Sequence, residues 1–317
     1  MTASNHQILL VGLGEVAQSH LNALEQIGGA DVVAGVDIRP RPEFAFRDHP
    51  VPVYQTPRDA SRRYDPDVVV IATPTPSHAT VCAEVADCFP AARILVEKPA
   101  ADNLHDARRV LKDIGSRQPV DVAYHMAFPP EVAWGLALAQ DDEDRLGVPV
   151  AIEASFADPY HDEFASVQQV LGNSWIDSGI NSLSVISRFV EPVSRTSLRR
   201  IGEMSSSVFE AHIACLAGHS ELEALILTSW HVSDPAKTTR IRYSSGAELI
   251  MDHTAVAGYL LQRGQVDAIF GTDRSIPRRD RHYLALYELW LSKGQRIIPQ
   301  EVSLRLHELL LQPANDA

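Results

Sequence analysis

The sequence predicts an α/β protein: an N-terminal doubly wound parallel sheet, followed by an α+β domain with an open, mostly antiparallel sheet. Three observations lead there. Over roughly the first 125 residues short apolar runs alternate with helical spacings, which is the pattern of strands laid parallel by helical crossovers. From about residue 150 strand-like runs follow one another with only turn residues between them, as in a meander. The 317 residues, 45% hydrophobic and 22% charged, suffice for two cores. The domain boundary is expected near residue 126, with domains 1–126 and 127–317.

The elements follow in order. Ile8-Leu9-Leu10-Val11 is an apolar run of strand length, and Ala17 to Ile27 carries Leu and Ala at helical spacing, so Gly12 to Val16 is a strand-to-helix turn. Val32 to Val36 reads as the second strand and ends at Asp37. Val68 to Ala72 is a buried-strand run, followed by Thr73-Pro74-Thr75-Pro76-Ser77-His78 and a helix over Ala79 to Ala86. Ile94 to Val96 is the next strand and runs into Glu97-Lys98-Pro99; a helix over Leu104 to Ile114 and a strand over Val120 to Tyr124 complete the domain. Glu131 to Leu138 is expected to be a helix leaving it, and the acidic run Asp141 to Asp144 a solvated linker. Strands are expected over Val150 to Phe156, Arg195 to Arg200, Ser207 to Cys215, Glu221 to Val232, Thr238 to Tyr243 and Glu248 to Asp252, with a covering helix over Trp175 to Phe189.

The first turn carries chemistry. In Gly12-Leu13-Gly14-Glu15-Val16-Ala17, Gly12 permits a tight bend, Gly14 lets the backbone approach a pyrophosphate, and Ala17 stands where a helix packs closely on its strand. The free N–H groups at the helix start can hold an anion. Asp37, about 20 residues beyond the glycines, can accept hydrogen bonds from the ribose hydroxyls of NAD and would repel a 2′-phosphate, whereas Arg39 beside it could accommodate that of NADP. The domain is therefore expected to be a Rossmann domain for NAD or NADP, with NAD favoured by Asp37. In such sheets ligands sit beyond the carboxyl ends of the strands, where Thr73, Pro74 and the Glu97-Lys98 pair also fall.

Composition narrows the rest. A net charge of −13 argues against nucleic acid and anionic membranes as partners. Cys82, Cys88 and Cys215 have no CxxC spacing, and the 13 histidines show no HxH or HxxxH pair, so neither a disulfide framework nor a metal is expected. No apolar run approaches a membrane span and no basic-then-apolar leader opens the chain, so a cytoplasmic protein is expected.

Taken together, GLGEVAQSH, VDIRP, VVVIATPTPSHATVCAEV, ILVEKPAA and WIDSGINSLS resemble the glucose-fructose oxidoreductase / inositol dehydrogenase family, often called Gfo/Idh/MocA, over nearly the whole length. The resemblance implies a Rossmann domain followed by an open-sheet domain that supplies the substrate pocket and often the oligomer interface. It also implies hydride transfer between nicotinamide and a hydroxyl or carbonyl carbon of a sugar or related compound. By resemblance, Lys98 lies beside the nicotinamide and the reacting oxygen, Glu97 orients its loop, and Thr73, Pro74 and His78 line the cofactor, His78 alternatively being a helix-start residue. The peptide before such a proline is often cis in this family.

Asp177 and Asn181, four apart on the expected helix, share one face. Many relatives carry a histidine at the second position as general acid/base. An amide cannot exchange a proton at neutral pH, so proton transfer here is expected to pass to Lys98 or Asp177. The DSGIN segment and the Tyr124-His125 pair lean towards sugar 1-dehydrogenases of the family. Glu153, Tyr160, His161 and Trp175 are further substrate-pocket candidates, and Trp230, His231 and His253 could belong to a pocket or an interface. Arg278 to Arg281 reads as a solvated turn. An imine or keto reductase, or a dinucleotide-binding regulator without turnover, remain open as alternatives, and a homodimer or homotetramer is expected.

Overall fold

The computed structural model describes residues 5–41, 43–160, 167–168, 171–202, 207–273 and 275–313. Its chain divides into two compact units, one made of Met1–Tyr124 with Arg279–Leu304 and the other of His125–Arg278 with Arg305–Ala317.

In the first unit, the apolar runs become strands because their backbones can be paired on both sides while their side chains are covered on both faces. These are β1 (His6–Val11), β2 (Ala30–Val36), a small ribbon of β3 (Ala45–Phe46) and β4 (His49–Pro50), then β5 (Val53–Tyr54), β6 (Val68–Ile71), β7 (Arg93–Glu97) and β8 (Val120–Ala123). The main sheet is parallel throughout, in the order β5-β2-β1-β6-β7-β8. Counted along the chain this is the 3-2-1-4-5-6 order of a dinucleotide-binding sheet, with its switch point between β1 and β6. Ile8, Leu9, Leu10 and every residue of β6 are at most 1% exposed, as that double covering requires. Helix α1 (Glu15–Ile27) follows β1 and buries Ala17, Leu21, Ala23 and Leu24. Side-chain caps start two further helices: Thr56 accepts from the Asp59 N–H, and Asn103 from the Asp106 N–H.

Two expectations change here. Arg278 to Arg281 is the first turn of a helix, Arg278–Tyr287, because His282, Tyr283, Leu286 and Tyr287 recur at helical spacing and are all buried. The segment 279–304, assigned from sequence to the second domain, clusters with the first unit. Its Trp290 is fully buried, donates to Asp121 Oδ2 at 2.9 Å and lies 4.5 Å beneath the Arg93 guanidinium.

The second unit is built on eight strands: β9 (Pro149–Ala157), β10 (Glu191–Ile201), β11 (Val208–Ala217), β12 (Ser220–Ser229), β13 (Ala236–Tyr243), β14 (Glu248–Asp252), β15 (Ala257–Gln262) and β16 (Gln265–Gly271). Their order is β10-β11-β12-β9-β13-β14-β15-β16, antiparallel except where β12 meets β9. The last hairpin has no expected counterpart. Its signal was the Arg263-Gly264 pair, which adopts φ of 52° and 74°, the two-residue turn that matches strand twist. Burial alternates along β9: Ile152, Ala154 and Phe156 are covered while Glu153 is exposed. The helix Ile180–Ile186, all of whose residues are buried, packs against β9 and β10. Asp141 to Asp144 lies inside this unit, where it closes the helix Pro130–Asp141 and opens a short one, Glu143–Leu146.

Trp230 and His253 are fully buried, so neither is at a surface. His253 bonds Glu131 Oε1 through Nδ1 at 2.8 Å and Thr239 Oγ1 through Nε2 at 2.9 Å, a polar core contact. His231 is exposed. Cys82 and Cys215 are buried free thiols whose pKa burial pushes up to about 12. Among the described residues no helix is long and apolar enough to cross a membrane.

Candidate functional site

β1, β6 and β7 are adjacent and parallel, so their carboxyl ends bring Gly12 to Val16, Thr73-Pro74 and Glu97-Lys98 to one edge of the sheet. Gly12 bends the chain with φ +89°, and a Cβ built on it would sit 2.7 Å from Ala72 C, Ala72 O and Thr73 N. Only glycine fits there. A Cβ on Gly14 meets nothing within 4 Å, and no side-chain hydrogen bond from Gly14's position caps α1. That combination fits a pyrophosphate approaching the backbone. Glu15 is exposed and pairs with Arg279 Nη1 at 2.8 Å, while Val16 is half-buried in the first turn.

Asp37 is fixed at the end of β2. Leu13 N–H donates to Oδ2 at 3.1 Å and Arg39 N–H to Oδ1 at 2.8 Å; the Arg41 Nε is 3.3 Å from Oδ2. Burial pushes its pKa up, but the two N–H donors and Arg41 outweigh this and hold it below the usual value. Beyond it Ile38 is 86% exposed and the Arg39 side chain 69%, both open to a ligand. Arg41 was missed in sequence; its i,i+4 spacing to Asp37 on a loop gave no periodic signal.

Thr73 is half-buried and its Oγ1 accepts from Ser77 Oγ at 2.9 Å, and Pro74 is exposed. His78 differs from expectation as a cofactor-lining residue. It is 1% exposed, with Nδ1 2.9 Å from Pro99 O and Nε2 2.8 Å from Thr73 O, and thus ties the loop after β6 to the loop after β7. Burial lowers its pKa against the opposing pull of those carbonyls. Lys98 is half-buried and joined to Pro99 by a cis peptide. Its N–H donates to Glu97 Oε2 at 3.1 Å; Glu97 is buried and also meets His20, Tyr283 and the Lys98 charge.

In the second unit Asp177 lies in a π-helical turn, Trp175–Gly179, that runs straight into the helix Ile180–Ile186. Such turns recur at functional sites because they re-aim side chains. Asp177 is 7% exposed and Asn181 3%. Asn181 Nδ2 donates to Asp177 O at 3.3 Å, and Asn181 Oδ1 has no hydrogen-bond partner among the described residues. A buried acceptor calls for a donor beyond those residues. The turn His125–Ala127 packs against the same helix, which brings half-buried His125 to its neighbourhood. Ser178 Oγ donates to Asp158 Oδ2 at 3.1 Å, and Lys237 Nζ lies 2.8 Å from Asp158 Oδ1, so an ion pair braces the turn. Sequence reasoning missed both braces, since nothing local marks a strand-end carboxylate and a lysine some eighty residues on.

Two candidates stand differently. Glu153 points to the face of β9 opposite that helix and pairs with Arg242 Nη2 at 2.8 Å, because strand side chains alternate. Trp175 is 2% exposed, donates from Nε1 to Leu310 O at 2.9 Å and fills the space beside Gly179, so it is a core pillar and offers no open ring face. Tyr160 is half-buried with its ring edge-on to Trp230 at 5.6 Å, and its N–H donates to Asp158 O at 3.0 Å. His161 lies outside the described residues.

Residues 6–123 match the family model described as "Oxidoreductase family, NAD-binding Rossmann fold". A 128-residue stretch is 29% identical to the rhizopine catabolism protein MocA of Rhizobium meliloti, covering 39% of this chain and 38% of that protein's length. Over 97% of this chain, the fold matches an oxidoreductase from Agrobacterium radiobacter in complex with NAD+, L-tartaric acid and magnesium, with TM-score 0.79, 16% identity and 94% of that chain covered. It also matches apo scyllo-inositol dehydrogenase from Lactobacillus casei with TM-score 0.76 and 17% identity, over 98% of this chain and 96% of the other. At these identities the structures establish the shared fold. Residues 6–123 thus match the Gfo/Idh/MocA oxidoreductase family model, and the parallel sheet they form is the NAD-binding Rossmann fold that model describes.

Proposed function

We propose that the protein is an NAD(P)-dependent dehydrogenase or reductase acting on a hydroxyl or carbonyl carbon of a sugar or sugar-like compound. The observation that carries this reading is the position of Lys98 at the same sheet edge as the Gly12–Gly14 turn. An ammonium there is in reach of chemistry at the far end of a dinucleotide whose pyrophosphate rests on α1. Gly12, Gly14, Glu15, Val16, Asp37, Ile38, Arg39, Thr73 and Pro74 would hold the cofactor, with NAD favoured by the carboxylate of Asp37.

When bound, the dinucleotide supplies the hydride acceptor or donor. The chain's own task is the proton and the charge. Lys98 stabilises negative charge developing on the substrate oxygen, and Asp177 takes the hydroxyl proton as the carbon is oxidised or returns it on reduction. Asn181 donates or accepts hydrogen bonds to substrate hydroxyls, for which its open Oδ1 is suited. His125 and Tyr160 would complete the substrate contacts; Glu153 and Trp175 are left out by their placement.

The protein is proposed to assemble as a homodimer or homotetramer through the outer face of the eight-stranded sheet, where Leu227 and Tyr259 are exposed. A screen of nicotinamide fluorescence with NAD and NADP against aldoses, cyclitols, sugar nucleotides, keto compounds and amines tests the reading. Turnover on a sugar-like alcohol is expected. Turnover confined to imines or simple keto compounds would replace the substrate class, and tight dinucleotide binding with no turnover would mark a regulator.

A further inference from the structure

We propose that His20, Tyr283 and Tyr287 are positioning residues that hold the Glu97 carboxylate, and through it the peptide bearing Lys98, in register with the dinucleotide-binding helix. The proposal rests on the role given to Lys98 above. It concerns residues of three distant chain segments, all within the first unit.

Glu97 ends β7 with its side chain 8% exposed, and His20, within α1, is 0% exposed. Every oxygen is engaged: Oε1 accepts from Tyr283 O–H at 2.7 Å and faces His20 Nε2 at 3.0 Å, while Oε2 accepts from the Lys98 N–H at 3.1 Å. His20 Nδ1 in turn lies 2.8 Å from the Tyr287 hydroxyl. The His20 ring is clamped edge-on by both tyrosines, with centroids 4.8 Å and 5.8 Å away. A carboxylate this deep is costly unless its hydrogen bonds are filled, and here they are. Burial pushes its pKa up, yet His20, Tyr283 and the Lys98 charge together hold it below the usual glutamate value, so it remains an acceptor only.

The consequence is geometric. His20 lies on α1, the helix whose N-terminus faces the pyrophosphate site, so the carboxylate joins that helix to the peptide carrying the ammonium. Tyr283 and Tyr287 close the far side from the helix Arg278–Tyr287. Freed from His20 and Tyr283, the carboxylate could rotate and release the Lys98 N–H, letting the ammonium wander from its reacting position. Misplacement of that kind lowers turnover more than cofactor affinity.

The test uses the full-length protein and the variants Tyr283→Phe, which removes one oxygen and keeps the ring, His20→Ala and His20→Gln. In the cofactor-free protein, hydrogen exchange at the Lys98 amide should rise about 10-fold or more in Tyr283→Phe and His20→Ala while the other β7 amides stay protected. In turnover, kcat should fall on the order of 10- to 100-fold with NAD(P) affinity within about threefold, and the primary deuterium isotope effect should increase. His20→Gln, which restores an N–H donor, should recover part of both. Unchanged Lys98 exchange in Tyr283→Phe, or exchange that rises equally throughout β7, overturns the proposal. So does unchanged kcat in folded Tyr283→Phe while Lys98→Ala is inactive, which leaves the role of Lys98 standing. Wild-type turnover by Lys98→Ala would instead remove that role, and the positioning proposal with it.

Discussion

Two alanine substitutions two residues apart separate fold from function in the dinucleotide turn. At Gly14 the added methyl enters open space, with nothing within 4 Å, and φ of −84° suits any L residue. Alanine is a poorer helix N-cap than glycine, but it loses less chain entropy on folding. The two effects offset to within about 1 kcal/mol, a melting shift of no more than ~4 °C. At Gly12 the methyl would lie 2.7 Å from the backbone of Ala72 and Thr73, at φ +89°. The left-handed strain adds ~1–2 kcal/mol and the overpacking ~1–3 kcal/mol, so Gly12→Ala should melt roughly 5–15 °C lower. Binding reverses the order of diagnostic value. The Gly14 methyl occupies the space proposed for pyrophosphate, and losing hydrogen bonds to a charged group, ~1.5–3 kcal/mol, weakens NAD(P) about 10- to 100-fold. Thermal melts with quenching of protein fluorescence by NAD and NADP measure both. A stable Gly14→Ala protein with wild-type dinucleotide affinity would refute the placement of the pyrophosphate.

Trp290→Ala should cost about 3–5 kcal/mol in urea unfolding, because it empties a fully buried site and leaves Asp121 Oδ2 with Arg93 but without its indole donor; a loss under about 1 kcal/mol would show that segment 279–304 is peripheral to the first unit. Glu153→Ala should change stability by less than about 1 kcal/mol and leave kcat intact, since its partner Arg242 is half-exposed; a large fall in kcat would return Glu153 to the pocket. The depressed pKa of Glu97 makes its ionised form a source of stability that is complete above about pH 4.3 and lost as pH falls through the lower folded-state value. Urea midpoints should therefore fall less between pH 7 and pH 4 in Glu97→Gln than in wild type, and equal falls would contradict the assignment.

What could be read in the sequence followed from local physics. Five of the six strands of the first sheet declared themselves as short apolar runs, the two-residue β5 being too short to do so, and the Gly12 turn declared itself where a strand met a helix through two glycines. The helix that carries Asn181 was legible from its apolar spacing, but the π-helical turn that carries Asp177 was not. Residues whose positions depend on distant packing were not legible. Arg278 to Arg281 was read as a solvated turn, yet burial of Tyr283 and Tyr287 against His20 and Glu97 makes a helix of that stretch. Glu153 was judged by residue type, while strand alternation and Arg242 decided its face. Trp175 has the aromatic plane a sugar pocket uses, but its N–H is taken by Leu310 O and its ring by the core. His78 carried two readings, and two carbonyls hold it between loops.

The proposed chemistry centres on Lys98. Nicotinamide turnover should be followed for the purified protein and Lys98→Ala on the sugar-like substrate that emerges from the panel, with dinucleotide binding measured alongside. In Lys98→Ala, kcat should be lower by about 10²–10⁴-fold with cofactor affinity retained. Equal turnover by the two proteins would contradict it.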